Sequence, residues 1–485
     1  MSFVALIFIA LLLVLRHIEI IAFPYPNEFR EGHTYSSTVL LLQGVNPYSL
    51  NSYPMYYNSY GIVFNLIVCP FAYFFGNSLI LHRLVNGIFF IIVMYLIFKP
   101  FIKKKKDILF HSVCLLVVYA SILYSQNSTL RPDGLGTLLY VMALLIPIRA
   151  QFTLKSLIVS SLVALLAFYT KPYFLSGWII ISIYTLLFVS AKKAILSNII
   201  FFFSFIFSAS LVFHIFPLYF YETIFAYSSS FDSFESIKFS IEQMLSFYYF
   251  IFPITLFVIS LLTLSTIRRR FEFLRNTYFV LSILISFILI YPLGINSGAF
   301  ITYHQQLLLP LICLFLMTFN DGCVSNLKSN KYILTIMIFI TFLYVDITPS
   351  IFNYKLKNWH VISNYIDTKN NILNSSLIAP ILLNSNKHIY ENGASTFVFT
   401  TKKNAFSNYL FNFDESLQNK QAEYIEDIAK QIKDKKFDAI ILTPTLDKFY
   451  YNMIDMTKYE LKRKISLVTP NDGTRYDLDI FEPKK

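Results

Sequence analysis

The chain is 485 residues long, 56% hydrophobic and only 14% charged, with a net charge of +12 and a mean hydropathy of +0.57. A soluble globular domain runs near 45–50% apolar and about 25% charged, so this composition excludes a wholly soluble protein. The basic residues are dispersed into short loops between apolar runs, which argues against a nucleic-acid surface and for anchoring in a membrane.

Apolar runs approaching the roughly 20 residues of a bilayer core predict about eleven transmembrane helices. They lie at 2–22, 78–98, 108–124, 134–149, 156–170, 173–190, 194–216, 246–264, 277–292, 303–319 and 332–348. The first run, Ser2 to Leu15, is built like a signal peptide. No small-residue cleavage site follows it and Arg16, His17 and Glu19 intervene, so it is read as a retained span. A long loop, 23–77, comes next. Within it, Thr34 to Gln43 reads as an amphipathic helix lying on the membrane, ended by Gly44 and the Asn46-Pro47 turn. Ile62 to Phe75 is too short to span and contains Pro70, which predicts a second interfacial or re-entrant helix.

From about residue 349 the chain becomes charged, Asn-rich and alternating. Leu377–Leu383, Phe397–Thr400 and Phe437–Thr443 read as strands, and Ala422–Lys435 as an amphipathic helix. This predicts a small α/β domain at 349–485, without the Gly-rich loop of a nucleotide site, after a membrane domain at 1–348. Cys69, Cys114, Cys313 and Cys323 show neither metal-site nor disulfide spacing.

Loop charge orients the bundle. One set of alternate loops carries Lys99 with Lys103 to Lys106, Arg149 with Lys155, Lys192 with Lys193, Arg268 to Arg270 with Arg275, and Lys328 with Lys331. The other set carries only Arg30, Arg131, Lys171 and Lys238. The positive-inside rule makes the first set cytoplasmic, with the N-terminus inside and the C-terminal domain extracytoplasmic. A multi-pass protein of the plasma (inner) membrane is expected.

Four polar motifs then fall on the outer side: Asn27-Glu28-Phe29-Arg30-Glu31, Arg131-Pro132-Asp133, Thr170-Lys171-Pro172-Tyr173 and Tyr303-His304-Gln305-Gln306. Glu28 and Glu31 share a face if their turn is helical, where they suit a general base or a divalent cation; the plain alternative is a solvated charge cluster. Asp133 and Pro132 fit an ordinary helix start, while Arg131 adds a fork-shaped donor suited to phosphate. Lys171 is either a snorkelling anchor or a contact for an anion, and His304 enters a span among hydrogen-bonding neighbours that are costly there without a use. His82-Arg83, at the outer start of the second span, offers another phosphate contact. Acids for a base or metal and cations for a phosphate, gathered at one leaflet, suit group transfer from a membrane-borne phosphate carrier. A lipid-linked-glycan transporter is the main alternative, but it should carry ionisable residues deep in mid-span, and these are scarce here. A non-catalytic assembly protein is the other.

The same residues resemble the GT-C class of polyprenyl-phosphate-sugar glycosyltransferases, which includes protein O-mannosyltransferases and the aminoarabinose transferase of lipid A. The acidic motif after the first span, the Leu42-Gln43-Gly44-Val45-Asn46-Pro47-Tyr48 stretch, Asn58-Ser59-Tyr60-Gly61, Arg83, Arg131-Pro132-Asp133 and Lys171-Pro172 carry the likeness over roughly residues 1–310. The resemblance implies a GT-C-like helical fold and transfer of a sugar, with inversion, from a polyprenyl-phosphate donor to a glycan, lipid or protein acceptor. It makes Glu28 the general base, with Glu31 second or assisting through a cation. Arg83, Arg131, Lys171 and His304 would hold the carrier phosphate, with Asp133 orienting a basic group or a metal and Arg30, Tyr60, Tyr303 and Gln305 in support. The family shows an Asp-Glu or Asp-x-Asp pair where this chain has Glu-x-x-Glu, which leaves open which carboxylate is the base. It also leaves open whether a divalent cation binds Glu28, Glu31 or Asp133; no other cofactor is implied.

Overall fold

The computed structural model describes residues 3–23, 31–51, 58–102, 108–124, 130–225 and 270–294. It also describes the helical positions 306, 309, 310, 312, 313 and 316, and residues 389–392, 426–427, 429–442, 457–468 and 475–484. The described part is mostly helical. In chain order the helices are α1 (Phe3–Ala22), α2 (Glu31–Leu42), α3 (Val63–Phe75), α4 (Leu79–Ile102), α5 (Ile108–Tyr124), α6 (Asp133–Arg149) and α7 (Leu154–Phe168). A broken helix follows, with a 3-10 turn at Pro172–Leu175, α8 (Ser176–Tyr184) and a π-turn at Thr185–Val189. Then come α9 (Ala191–Ile215), the short α10 (Tyr219–Thr223) and α11 (Arg270–Gly294).

Among the described residues three segments are long and apolar enough to cross a membrane: Leu79–Pro100, Pro172–Val189 and Ala191–Ile215; Val63–Phe75, Leu154–Phe168 and Thr277–Leu289 are shorter apolar helices. The expected spans at 246–264 and 332–348 lie outside the described residues, and only scattered positions of the one at 303–319 lie inside. The shared core is made by α4, α6, α7, α8 and α11 with α1 and α5 alongside, through side chains such as Phe90, Tyr140, Leu144, Phe174 and Tyr278. By contrast α9 leaves Phe203 and Phe207 more than 70% exposed, an apolar face that suits hydrocarbon rather than water.

Short connections fix the alternation of helix directions. Between α6 and α7 the chain reverses through Gln151 and Phe152, both at positive φ, and Thr153 caps α7 by accepting the Ser156 N–H. Arg149 donates to the Leu96 carbonyl at 2.9 Å, and Lys193 donates to the Phe152 carbonyl at 3.2 Å, both at this end of the bundle. The starts of α2, α4 and α6 and the end of α7 meet at the opposite end, where the polar motifs gather.

The first loop differs from its expected form. Helix α2 is present, but it is not laid on a surface: Glu31 to Thr38 and Leu40 are buried, and it packs on α3 and α4. The hydroxyls of Ser36, Ser37 and Thr38 are satisfied locally, since Ser36 and Ser37 donate to the His33 carbonyl and Thr38 to that of Thr34. Asn65 of α3 then donates to the Thr34 carbonyl and the Thr38 hydroxyl, joining the two helices.

In the C-terminal part, β1 (Ile389–Asn392), β2 (Ala439–Leu442), β3 (Tyr459–Val468) and β4 (Arg475–Pro483) form a sheet in the order β1-β2-β4-β3. The β1–β2 pair is parallel and the others antiparallel, with a bulge between Leu461 and Arg463. All four residues of β2 are buried, as its unbroken Ala-Ile-Ile-Leu run requires. The strand expected at Phe437–Thr443 and the helix feeding it match β2 and the helical residues 429–433. Those expected at Leu377–Leu383 and Phe397–Thr400 lie outside the described residues.

Candidate active site

Two ion pairs, both buried, organise the polar end of the bundle. In the first, Glu31 opens α2 and Arg83 sits in the second turn of α4, 52 positions later. Arg83 Nε donates to Glu31 Oε1 at 2.9 Å and Nη2 to Oε2 at 2.5 Å, and neither side chain is exposed. Oε1 also accepts the Leu130 N–H at 2.7 Å, while Arg83 Nη1 donates to the carbonyls of Ile20 (3.2 Å) and Phe23. Burying two charges is tolerable only when the pairing is bidentate and the remaining lone pairs are met, and here they are. The pair thus ties the end of α1, the start of α2, α4 and the approach to α6 into one knot.

One turn along α4, Asn86 faces the same way as Arg83, and its Oδ1 accepts the Gly134 N–H at 2.8 Å. A Cβ at Gly134 would lie 2.1 Å from that oxygen and 2.7 Å from the Asn86 carbonyl, so α6 can begin against α4 only with glycine there.

The second ion pair closes the site. Lys171 Nζ donates to Asp133 Oδ1 at 2.7 Å, and the Tyr173 hydroxyl donates to the same oxygen at 2.7 Å. Asp133 Oδ2 is buried, and among the described residues it has no hydrogen-bond partner. Arg131 is buried too and adds a second positive charge close to the Asp133 carboxylate. The Lys171 ammonium also lies 4.6 Å from the centre of the Tyr60 ring and 5.4 Å from that of Tyr173. Aromatic faces stabilise a cation at such distances.

Tyr60 reaches this place because the loop is laid directly against the end of α7. The Gly61 N–H donates to the Thr170 carbonyl at 3.0 Å, and a Cβ at Gly61 would come within 1.9 Å of the Tyr169 carbonyl oxygen. Only a residue without a side chain permits the approach. From the fourth motif, Gln306 Oε1 accepts the Ser176 hydroxyl at 2.6 Å, five residues beyond Lys171, and its carbonyl accepts Tyr140 at 3.2 Å.

Of the residues proposed from sequence, the fold brings together Glu31 with Arg83, and Asp133 with Lys171 and Tyr60, with Arg131 close by. Glu28, Arg30, Tyr303, His304 and Gln305 lie outside the described residues. The pairing matters for two expectations: the Glu31 carboxylate and the Arg83 guanidinium, read as acid and phosphate contact, face one another. Among the described residues no three His, Cys, Asp or Glu side chains come together to hold a metal. Asn86 and Glu222 were not singled out from sequence. Asn86 had a usable signal, lying three residues from Arg83 on one helix face; Glu222, an acid within the aromatic run Tyr219-Phe220-Tyr221, had a weaker one.

No family model and no curated protein matches the sequence. Among solved structures, the crystal structure of ArnT from Cupriavidus metallidurans in the apo state aligns with a TM-score of 0.60 at 13% identity, covering 98% of this chain and 97% of that one. The same protein bound to undecaprenyl phosphate aligns at 0.57 and 11% identity, with the same coverage. At these identities the likeness is one of fold, and it runs over nearly the whole of both chains.

Proposed function

We propose that this protein is an integral membrane glycosyltransferase. It moves a sugar from a polyprenyl-phosphate donor to an acceptor hydroxyl at the outer face of the plasma membrane, in the assembly of a cell-envelope glycan or glycoconjugate. The observation that carries this reading is the buried Lys171–Asp133–Tyr60 cluster, set in a fold shared with a protein crystallised with undecaprenyl phosphate.

The acceptor oxygen attacks the anomeric carbon, the bond from that carbon to the phosphate oxygen breaks, and the polyprenyl phosphate departs with the bonding pair. Negative charge grows on the phosphate as it leaves. Lys171, held by Asp133 and the two tyrosine rings and backed by Arg131, stabilises that charge, and His304 is a further candidate contact from the sequence. Glu28 takes the acceptor's proton. Glu31, three residues on in the sequence, is paired with Arg83 inside the fold, which suits these two to a positioning role. The concentration of basic residues in one set of alternate loops, Lys103 to Lys106 among them, supports a site on the outer leaflet.

The test is turnover of a labelled polyprenyl-phosphate sugar by the purified protein in liposomes, with envelope extract as acceptor. Glu28→Gln and Lys171→Met should each lower turnover about a hundredfold or more while remaining monodisperse. Full turnover in both variants overturns the reading, and movement of intact donor across the bilayer without cleavage makes the protein a transporter instead. A chelator in the same assay reports whether a divalent cation takes part, with Glu28 and Asp133 Oδ2 as its oxygen ligands.

A further inference from the structure

Glu222 lies in α10 and has no part in the chemistry above, yet it is wholly buried. Its Oε2 accepts the backbone N–H of Asn58 at 2.9 Å. Asn58 passes that hold onward: its Nδ2 donates to the Tyr48 hydroxyl at 3.0 Å, and its Oδ1 accepts the N–H of Tyr60 at 3.0 Å. The Tyr48 hydroxyl in turn donates to the Tyr60 carbonyl, and the Tyr48 carbonyl accepts the Leu218 N–H at 3.0 Å, just before α10. The backbone on both sides of Tyr60 is therefore gripped by one network rooted in α10. The Tyr60 ring is the part of that turn that meets the Lys171 ammonium.

Burial pushes the Glu222 carboxyl well above the usual carboxylate range, against the opposing pull of the Asn58 N–H. In its protonated form it accepts that hydrogen bond through a carbonyl oxygen, a task a glutamine amide performs equally well.

We propose that Glu222 is a positioning residue for the phosphate-facing cation: acting through Asn58, it fixes the Tyr60 ring beside Lys171. This rests on the reading that Lys171 receives the carrier phosphate. Asp133 contacts the ammonium through its carboxylate and the Tyr60 ring through its face. Releasing the turn frees the ring and lets the lysine swing.

The experiment is binding of a polyprenyl phosphate to the full-length protein in lipid nanodiscs. Glu222→Ala should weaken binding about tenfold, the worth of one desolvated cation–ring contact, whereas Glu222→Gln should bind as wild type. Tyr60→Leu should reproduce the loss, and Glu222→Ala added to Tyr60→Leu should weaken binding no further. Asn58→Ala, which keeps its own N–H on Glu222 but cuts the links to Tyr48 and Tyr60, should show the same tenfold loss and serves if Glu222→Ala fails to fold. Wild-type binding by Glu222→Ala or Asn58→Ala, or an equal further loss in the Tyr60→Leu background, overturns the proposal. If instead Lys171→Met binds as tightly as wild type, it is the functional reading that falls.

Discussion

Replacing Arg83 by methionine should be more damaging to folding than to any direct contact with substrate. The side chain makes two charge-assisted hydrogen bonds to Glu31, at 2.9 and 2.5 Å, each worth roughly 1.5–3 kcal/mol. Its loss leaves a fully buried carboxylate without its counter-charge, though still accepting the Leu130 N–H at 2.7 Å. The two bonds together come to about 3–6 kcal/mol, which overlaps the about 3–5 kcal/mol for removing one member of a buried ion pair. Glu31→Gln should cost less, since its amide oxygen can still accept from Leu130 and from Arg83. The telling variant is the double one, Glu31→Gln with Arg83→Met. Methionine fills much of the arginine's volume and glutamine carries no stranded charge, so the double variant should recover about 2 kcal/mol or more of the loss, a coupling that independent sites do not show. Equilibrium unfolding of the purified protein in detergent–lipid micelles by added denaturing detergent measures all three. Wild-type stability in Arg83→Met, with only donor binding reduced, would refute this argument and return Arg83 to the phosphate.

Gly61→Ala should break the site without touching a charged residue: its Cβ would sit 1.9 Å from the Tyr169 carbonyl oxygen, forcing the loop and the end of α7 apart. A cost of about 1–3 kcal/mol and loss of most donor turnover are expected, and an active, stable variant would show that the loop does not lie here. Glu222 makes a prediction in pH. Its folded pKa is raised above the ordinary 4.5, so the stability it supports is complete below that value and falls as pH rises toward the folded pKa. Tyr48 and Tyr219, which lie around it, are themselves pushed upward by burial and stay neutral in this window, and His214 at the end of α9 is exposed. Melting of Glu222→Gln relative to wild type should therefore rise from pH 5 to pH 8, by at most about 1.4 kcal/mol per unit; a flat difference across that range would mean the group is already ionised.

Much of the helical framework could be read from the chain because long apolar runs admit few alternatives. Helices such as α4 and α9 follow their predicted spans within a few residues at most boundaries. What escaped was the burial of polar segments. The stretch Glu31-Gly32-His33-Thr34-Tyr35-Ser36-Ser37-Thr38 looks fit for a surface, and its hydroxyls return to the helix's own carbonyls only once α3 and α4 enclose it. The C-terminal strand β3 was missed for the opposite reason. Its centre, Lys462-Arg463-Lys464, is charged and its alternation is interrupted by the bulge at Leu461 and Arg463.

The site was legible as a set of residues but not as a set of partners. Lys171 was marked because lysine is scarce in that set of loops and Asp133 because it opens a helix beside Arg131, and the two prove to be joined. Glu31 and Arg83 were marked for separate tasks, and nothing in their spacing of 52 positions shows that they face each other. That relation depends on how α2 and α4 cross, which a single sequence does not encode in any local pattern.

The bond from Gly61 to the Thr170 carbonyl joins the first loop to the helix end that carries Lys171, with no side chain between them. The loop cannot lift like a flap without dragging the lysine with it. If the proposed function holds, a lipid carrier would meet at this point a cradle that is already assembled.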